Sequence, residues 1–421
     1  MSFISEGMSF SDCDIVKFGG SSVATAEKIK NAARLVSENV KRGKKTIVVV
    51  SAMGKTTDEL IELARSTAEN VAPQHLDEIL SMGERTSARV LTAAITSQGI
   101  KADFVDLEKP EWPLITDENF GDANILLEET KSRVLRLLAE RMQDLDALVI
   151  PGFIGKTRKG DLTTIGRGGS DTTAFVIADA IDSKRVILVS DVSGVMSADP
   201  KLIESPKRID EIEVKKLIGL ADSGLKFLHK KALTHKPKGT DVKLISNQSS
   251  SLDADGTIIK GSMEDIEVGI ISANAAAITI VGEGISSNPA LLAEMLSAFK
   301  QEDGGILGMA ANSDNLVFYI NSSEAGRVCK KLHSLVVENR ETVGLALRSG
   351  LALIMINGIS LQETPGSISR AATLLRDAGV NIFGQYTVMS EIFLMVKKDD
   401  CEKAVELLRK EFVRGEKNEK S

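Results

Sequence analysis

The stretch IVKFGGSS, residues 15–22, sets a short apolar run, a lysine and two glycines directly ahead of two serines. In a loop of the G-x-x-x-x-G-K-[ST] type the lysine follows the glycines, and backbone amides wrap the phosphates before the cation arrives. Here the cation comes first. Two segments imitate the end of such a loop, Gly54-Lys55-Thr56 and Gly155-Lys156-Thr157, but five positions before each glycine stands Val49 or Ile150. Neither is a Walker loop. Lys17, Gly19, Gly20, Ser21 and Ser22 read instead as a strand end turning into a helix. Glycines there let amides approach phosphate oxygens, a helix start favours anions, and a lysine can neutralise a phosphoryl group in transfer. A tight strand–helix joint without a ligand carries the same pattern.

Outward from that turn, residues 14–262 alternate strand and helix. DIVKF is a strand, and TAEKIKNAARLVSENVKRG then puts Ile29, Ala32, Ala33, Val36 and Val40 on one helical face, with Gly43 as the stop. KTIVVVSA is a β-branched run suited to a strand covered on both faces. Helices are expected from near Thr57 and over about 74–97, and strands at ALVIPGFIG and LTTIG with a turn at Lys159-Gly160-Asp161. A further helix from about Ser170 leads to the strand RVILVSDV. This alternation implies a mainly parallel sheet with helices on both faces, which binds ligands at the carboxyl ends of its strands. The glycine-rich segments fall at those ends.

The last third repeats itself. ITIVGEGISSNPALLAEMLSAF is echoed by LALIMINGISLQETPGSISRAATLL, and Gly284 and Gly358 are 74 positions apart (358 − 284). Each copy runs strand, Gly-Ile-Ser, proline, amphipathic helix, and later an acidic step into a strand, Ser313-Asp314 and Ser390-Glu391. Units this small bury their faces by pairing with each other or across a dimer.

With 52 basic and 59 acidic residues the net charge is −7, which argues against an electrostatic nucleic-acid binder. No apolar run approaches a membrane span, and MSFISEGMSFSDCD is too polar for a signal peptide. Met8 suggests a loose leader and VRGEKNEKS a solvated tail. Three distant cysteines and four scattered histidines give no disulfide framework and no metal site, as in a reducing cytoplasm.

Three further segments bear chemistry. TTIGRGGSDTTA (163–174) holds Arg167 beside glycines, suited to a bidentate carboxylate or phosphate contact, with Ser170 and Asp171 at a helix start. Asp171 at an anion site suits holding a lysine, and the plain alternative is Ser170 as an N-cap. SMGERTSA (81–88) puts Glu84 after a glycine, where a solvated surface glutamate is the ordinary alternative. VSDVSGVMSADP (189–200) follows an apolar strand with Ser190, Asp191 and Asp199, a nucleotide-side loop or an ordinary turn.

Taken in order, VKFGGSSV, VVVSAMGKTTDEL, GERTSA, PGFIG, TTIGRGGSDTTA and SDVSGVMSADP resemble the aspartate kinases of the amino-acid kinase fold, and the repeats resemble ACT regulatory domains. The resemblance implies an αβα sandwich over 14–262. Two ferredoxin-like βαββαβ domains, 275–345 and 346–413, would follow, with a strand around 264–274 joining the second. It implies that Lys17 stabilises the γ-phosphoryl group, that Gly19 and Gly20 donate amides beside Ser21, and that Asp171 orients lysines. Arg167 would clamp the α-carboxylate of aspartate and Glu84 its ammonium, with Ser51, Thr57, Phe153 and Ser170 shaping the pocket. Ser190, Asp191 and Asp199 would border ATP, with Met196 and Lys201 in the same region. In GLKFLHKKAL, Lys226 would reach the phosphates. Met196, Lys201 and Lys230 depart from the usual tyrosine, arginine and proline.

The reaction so implied is L-aspartate plus MgATP giving 4-phospho-L-aspartate and ADP, a first step toward lysine, threonine and methionine. Its nucleophile is already ionised at pH 7, so no base is needed, and apart from His229 in GLKFLHKKAL the quoted motifs hold no histidine. Alternatives are a kinase for glutamate or another small acid, and a catalytically inactive amino-acid sensor. In the repeats, Ser286, Asn288, Ser313 and Asp314 are the candidate effector contacts. Gly308 stands where an acidic contact is common, which tilts the expected effector from lysine toward threonine. A homodimer or a dimer of dimers is expected.

Overall fold

The computed structural model describes residues 10–222, 228–262, 266–359, 361 and 364–414. The leader before residue 10, the tail after 414 and Lys226 lie outside the described residues. The chain forms two compact units, divided between Met263 and Glu264.

In the first unit, β1 (Asp14–Phe18), α1 (Ala26–Lys41), β2 (Thr46–Val50), α2 (Thr56–Thr67) and α3 (Pro73–Thr96) come first. Then follow β3 (Ala102–Phe104), β4 (Ile115–Thr116), α4 (Leu127–Arg141), β5 (Ala147–Pro151), β6 (Ile154–Thr157), β7 (Leu162–Thr164) and α5 (Gly169–Ala180). The unit closes with β8 (Arg185–Ser190), β9 (Glu211–Glu213), α6 (Val214–Asp222), α7 (Lys230–Leu233), β10 (Asp241–Ser246) and β11 (Thr257–Lys260). An eight-stranded sheet runs β3-β5-β2-β1-β8-β10-β11-β9, parallel at every step except β10–β11. Its central strands are covered on both sides, which is why they read as unbroken apolar runs. Val16 and Phe18 of β1 pack with Ile29, Leu35 and Val36 of α1 and Leu91 and Ile95 of α3. Lys17 alternates to the other face, where α5 lies against β1, β2 and β8. A small sheet, β4-β6-β7, adds the hairpin that turns at Gly160, φ +96°.

The second unit is one antiparallel sheet, β13-β14-β12-β15-β17-β16. Its elements are β12 (Ile266–Gly282), α8 (Pro289–Gln301), β13 (Ile306–Ala311), β14 (Asn315–Asn321), α9 (Ser322–Glu338), β15 (Thr342–Gly358), α10 (Ser367–Asp377), β16 (Gly384–Val388), β17 (Glu391–Lys397) and α11 (Cys401–Arg409). The late halves of β12 and the early half of β15 enclose a βαββαβ set with α8 and α9. Ala276, Ile278 and Ile280 face those helices. The late half of β15 (from Leu351), with β17 and β16, packs on α10 and α11 and takes its fourth strand from residues 266–270, ahead of the first set in sequence. β15 therefore runs unbroken across residues 345 and 346. On the face away from the helices, Ala275, Ala277 and Tyr319 of one half meet Leu351, Leu353, Phe393 and Met395 of the other. Tyr386 stacks on Tyr319 with ring centroids 5.8 Å apart and donates to the Leu307 carbonyl at 2.8 Å.

Candidate active site

β1, β2, β5 and β8 end level with one another: Phe18 pairs with Val50 and Val189, and Val50 with Pro151. The loops that leave these ends hold the glycine-rich motifs. Lys17 extends across the α5 face, and its Nζ lies 2.5 Å from Asp171 Oδ1 in the first turn of α5. Both side chains are 13% exposed, so the pair is shielded yet open to a ligand. A Cβ on Gly20 would stand 2.7 Å from the Ala52 carbonyl oxygen, and Gly54 donates its amide to Gly20 at 3.0 Å. Only glycine fits that approach. The Gly19 amide is bound to the Val189 carbonyl at 3.1 Å, which corrects the expectation that Gly19 donates to phosphate. Gly20 and Ser21 start a short 3₁₀ turn, and no acceptor for either amide occurs among the described residues.

Glu84 corrects the surface alternative, since it is 3% exposed. Its Oε1 accepts from the Ala52 amide at 3.0 Å, and its Oε2 has no partner. Burial pushes its carboxyl up to about 7, against the opposing pull of the Ala52 amide and, more weakly, of Lys17. A buried carboxylate with one free oxygen is costly unless a cation arrives to complete it. Ser51, half-buried, donates its amide to the Phe18 carbonyl at 3.1 Å, and Thr57 is the second residue of α2.

Arg167 is exposed, and no hydrogen bond or ion pair to its side chain occurs among the described residues. It stands between Gly166 and Gly168, at φ +78° and +77°, conformations that other residues rarely adopt. Phe153 takes φ +68° without being glycine and donates its amide to Thr173 Oγ1 at 3.2 Å. A Cβ on Gly152 would stand 2.7 Å from Ser170 Cβ, so Gly152 and Phe153 abut the start of α5. Ser170 is not an N-cap; Gly168 holds that position.

In the segment expected to border the nucleotide, Ser190 ends β8 and its Oγ lies 3.1 Å from Asp191 Oδ1. Met196 bridges to Arg208, and Asp199 Oδ1 accepts from the Lys201 amide at 2.9 Å. The Ser190 carbonyl also accepts from the Asn247 amide at 2.6 Å, whereas the bonds of Asp199 and Lys201 are local to their loop. Asp77 escaped the sequence reading. Fully buried, it accepts from the amides of Gly121 and Thr164, both at 2.9 Å, and from Thr164 Oγ1 at 2.7 Å. Its position two turns before Glu84 on α3 was the available signal (84 − 77 = 7).

In the second unit, Ser286, Asn288, Ser313 and Asp314 share one end of the first half, where Gly282 donates to the Asp314 carbonyl at 2.9 Å. Asn288 caps α8 through the Leu291 amide at 3.0 Å and donates to Glu341 Oε2 at 2.6 Å. Glu341, unnoticed in sequence, thus ties that loop to the start of β15. At Gly308 the Tyr386 hydroxyl fills the place a Cβ would take.

The sequence model of the amino acid kinase family matches residues 13–246, more than half of the chain. An aspartokinase of Geobacillus stearothermophilus is 33% identical over 376 residues, 87% of this chain and 89% of that protein. One from Mycolicibacterium smegmatis is 30% identical over 419 residues, 95% of this chain and 96% of that protein. The fold is that of the Synechocystis aspartate kinase, with TM-score 0.77 at 24% identity over 94% of this chain and 69% of the other. E. coli aspartokinase III, solved with aspartate and ADP, aligns with TM-score 0.55 at 22% identity over 95% of this chain and 100% of the other. The chain belongs to the amino acid kinase family, in its aspartokinase branch. It is a kinase.

Proposed function

We propose that the protein transfers the γ-phosphoryl group of ATP to the side-chain carboxylate of L-aspartate, giving 4-phospho-L-aspartate and ADP. The observation that carries this reading is the buried, half-bonded Glu84 near the Lys17–Asp171 pair, with Arg167, whose side chain has no hydrogen bond or ion pair among the described residues, just ahead of α5. A substrate carboxylate oxygen forms the new bond to the γ-phosphorus while the bond from that phosphorus to the ADP oxygen breaks. That carboxylate is ionised at pH 7, so no base is needed, and catalysis reduces to positioning and charge neutralisation. Lys17, steadied by Asp171, faces the charge of the transferring group, with the Gly20 and Ser21 amides beside it. The Arg167 fork takes the α-carboxylate. Glu84 takes the ammonium, which completes its hydrogen bonding and restores its ionisation. Ser51, Thr57, Phe153 and Ser170 shape the cavity, and Ser190, Asp191, Met196, Asp199, Lys201 and Lys226 border the nucleotide.

Among the described residues no group of three or more His, Cys, Asp or Glu is poised to hold a metal. Mg²⁺ would be carried by the ATP phosphates and water, where it supplies charge neutralisation. An N-acylated acid would leave Glu84 without its partner, which favours a free α-amino acid. The intact Lys17–Asp171 pair disfavours an inactive sensor.

The second unit we read as an ACT pair that senses an end product, threonine ahead of lysine, through Ser286, Asn288, Ser313 and Asp314. E. coli aspartokinase III, a relative by fold at TM-score 0.55, has been solved with lysine. Residues 342–350 of β15 and 266–272 of β12 are unpaired on one edge among the described residues, and Val343 is 83% exposed. Such edges suit pairing with a second copy, giving a homodimer or a dimer of dimers. No helix among the described residues is long and apolar enough to cross a membrane, and the three cysteines are free, as suits a cytoplasmic enzyme.

Trapping the acyl phosphate with hydroxylamine tests the reaction. With MgATP, aspartate should give hydroxamate and glutamate should not. Hydroxamate from glutamate alone would move the assignment to the other acid, and none from either would favour the sensor.

A further inference from the structure

The backbone that carries Arg167 is held on both sides. Gly166 takes φ +78°, and Asp122 Oδ1 fills the place a Cβ there would take, so a side chain at 166 would also push the Asp122 carboxylate aside. Lys231 of α7 forms an ion pair with Asp122 and donates to the Ile165 carbonyl at 3.0 Å. One residue further back, Asp77 binds the Thr164 amide and hydroxyl, and the Gly121 amide beside Asp122. On the other side, a Cβ on Gly168 would stand 2.5 Å from His229 Cβ. Residues 164–168 are thus clamped by α3, α7 and the 117–124 loop, while none of these gives the Arg167 side chain a hydrogen bond or ion pair among the described residues.

We propose that Lys231, with Asp122, is a positioning residue for Arg167 and so sets the affinity for the amino-acid substrate. The proposal rests on the reading of Arg167 as the carboxylate clamp. A bidentate guanidinium–carboxylate contact depends on the plane and height of the fork. Lys231 fixes both by joining the Ile165 carbonyl and Asp122 in one ammonium. Without it, Ile165 and Gly166 lose their tie to α7, and Gly166 has no side chain with which to replace it.

The test compares Lys231→Met, Lys231→Arg, Asp122→Asn, Arg167→Lys and the Lys231→Met/Arg167→Lys double variant in the full-length protein. Because a misplacement of about 1 Å can cost ~10²-fold, Lys231→Met should lower kcat/KM for aspartate by about 10–100-fold, chiefly through KM. The KM for ATP should be unchanged, Lys231→Arg should restore most of the loss, and the double variant should be no worse than Arg167→Lys. Should Lys231→Met fail to fold, Asp122→Asn at its exposed position takes its place, with the same split between the two KM values expected. Equal losses toward both substrates, no rescue by arginine, or a full additive loss in the double variant would overturn the clamp. If Arg167→Lys impairs aspartate use and both Lys231→Met and Asp122→Asn spare it, the clamp alone fails. If Arg167→Lys itself spares aspartate, the carboxylate reading fails and the clamp with it.

Discussion

Lys17 and Asp171 come from sequence positions more than 150 apart (171 − 17 = 154), yet their charged atoms lie 2.5 Å from each other. Removing a donor aimed at developing charge typically costs ~10²–10³ in rate. Lys17→Ala should therefore lower kcat at least that far while leaving the thermal midpoint near that of the wild type, which differential scanning calorimetry can check. A folded variant with more than roughly a tenth of wild-type kcat would remove Lys17 from the chemistry. Glu84 makes a second claim, through pH. Only its ionised form receives an ammonium, so kcat/KM for aspartate should fall as pH drops below about 7. Glu84→Gln should abolish that limb of the profile along with most activity. Stability runs the other way in the free protein. A carboxyl raised from its ordinary 4.5 to about 7 contributes stability that is complete below 4.5 and lost as pH rises through 7. Wild type should thus lose thermal stability between pH 5 and 8 relative to Glu84→Gln, and saturating aspartate should narrow the gap. The residue types at this site were legible in sequence because glycines, a lysine and an arginine mark strand ends. The burial of Glu84 was not. Its neighbours Arg85 and Thr86 are polar, and its burial shows only in the tertiary packing, where the Ser51–Gly54 loop meets α3 at Gly83 and Glu84.

At the scale of elements, the parallel sheet was legible from β-branched runs such as TIVVV, whose five residues are all buried. Local periodicity does not say which strand pairs with which, so a join of 264–274 to the second repeat came only from the family resemblance, and the unbroken run of β15 through both halves was not legible. Gly308 shows the consequence. Read alone, it is a missing acidic residue; in the fold it is the floor on which Tyr386 rests. Gly308→Asp should displace Tyr386, break its bond to the Leu307 carbonyl and destabilise the second unit by about 1–3 kcal/mol, as overpacking does. Urea unfolding would measure this, and Tyr386→Ala added to Gly308→Asp should recover part of the loss. An unchanged midpoint for Gly308→Asp would show that the sheet faces yield freely there.

For the whole molecule, a kinase joined to an end-product sensor should lose activity in the presence of threonine, and less so with lysine. Steady-state rates with each amino acid, singly and together, check this. Asn288→Ala, which frees the α8 start from both its cap and Glu341, should blunt the response without altering kcat. An effector acts at a distance only through different affinities for two arrangements of the protein, so absence of any change up to tens of millimolar would reduce the repeats to an assembly surface. The strand order of the second unit also has a consequence for how the protein is made. Ile266 pairs with Gly358, 92 positions later (358 − 266), with the whole first repeat between them. On a ribosome moving at ~5–20 residues per second, the early half of β12 emerges roughly 5–20 s before its partner does. During that interval Ile266, Val268 and Ile270 have no strand to pair with, and nascent chains of this protein should offer this segment to chaperones until Gly358 emerges.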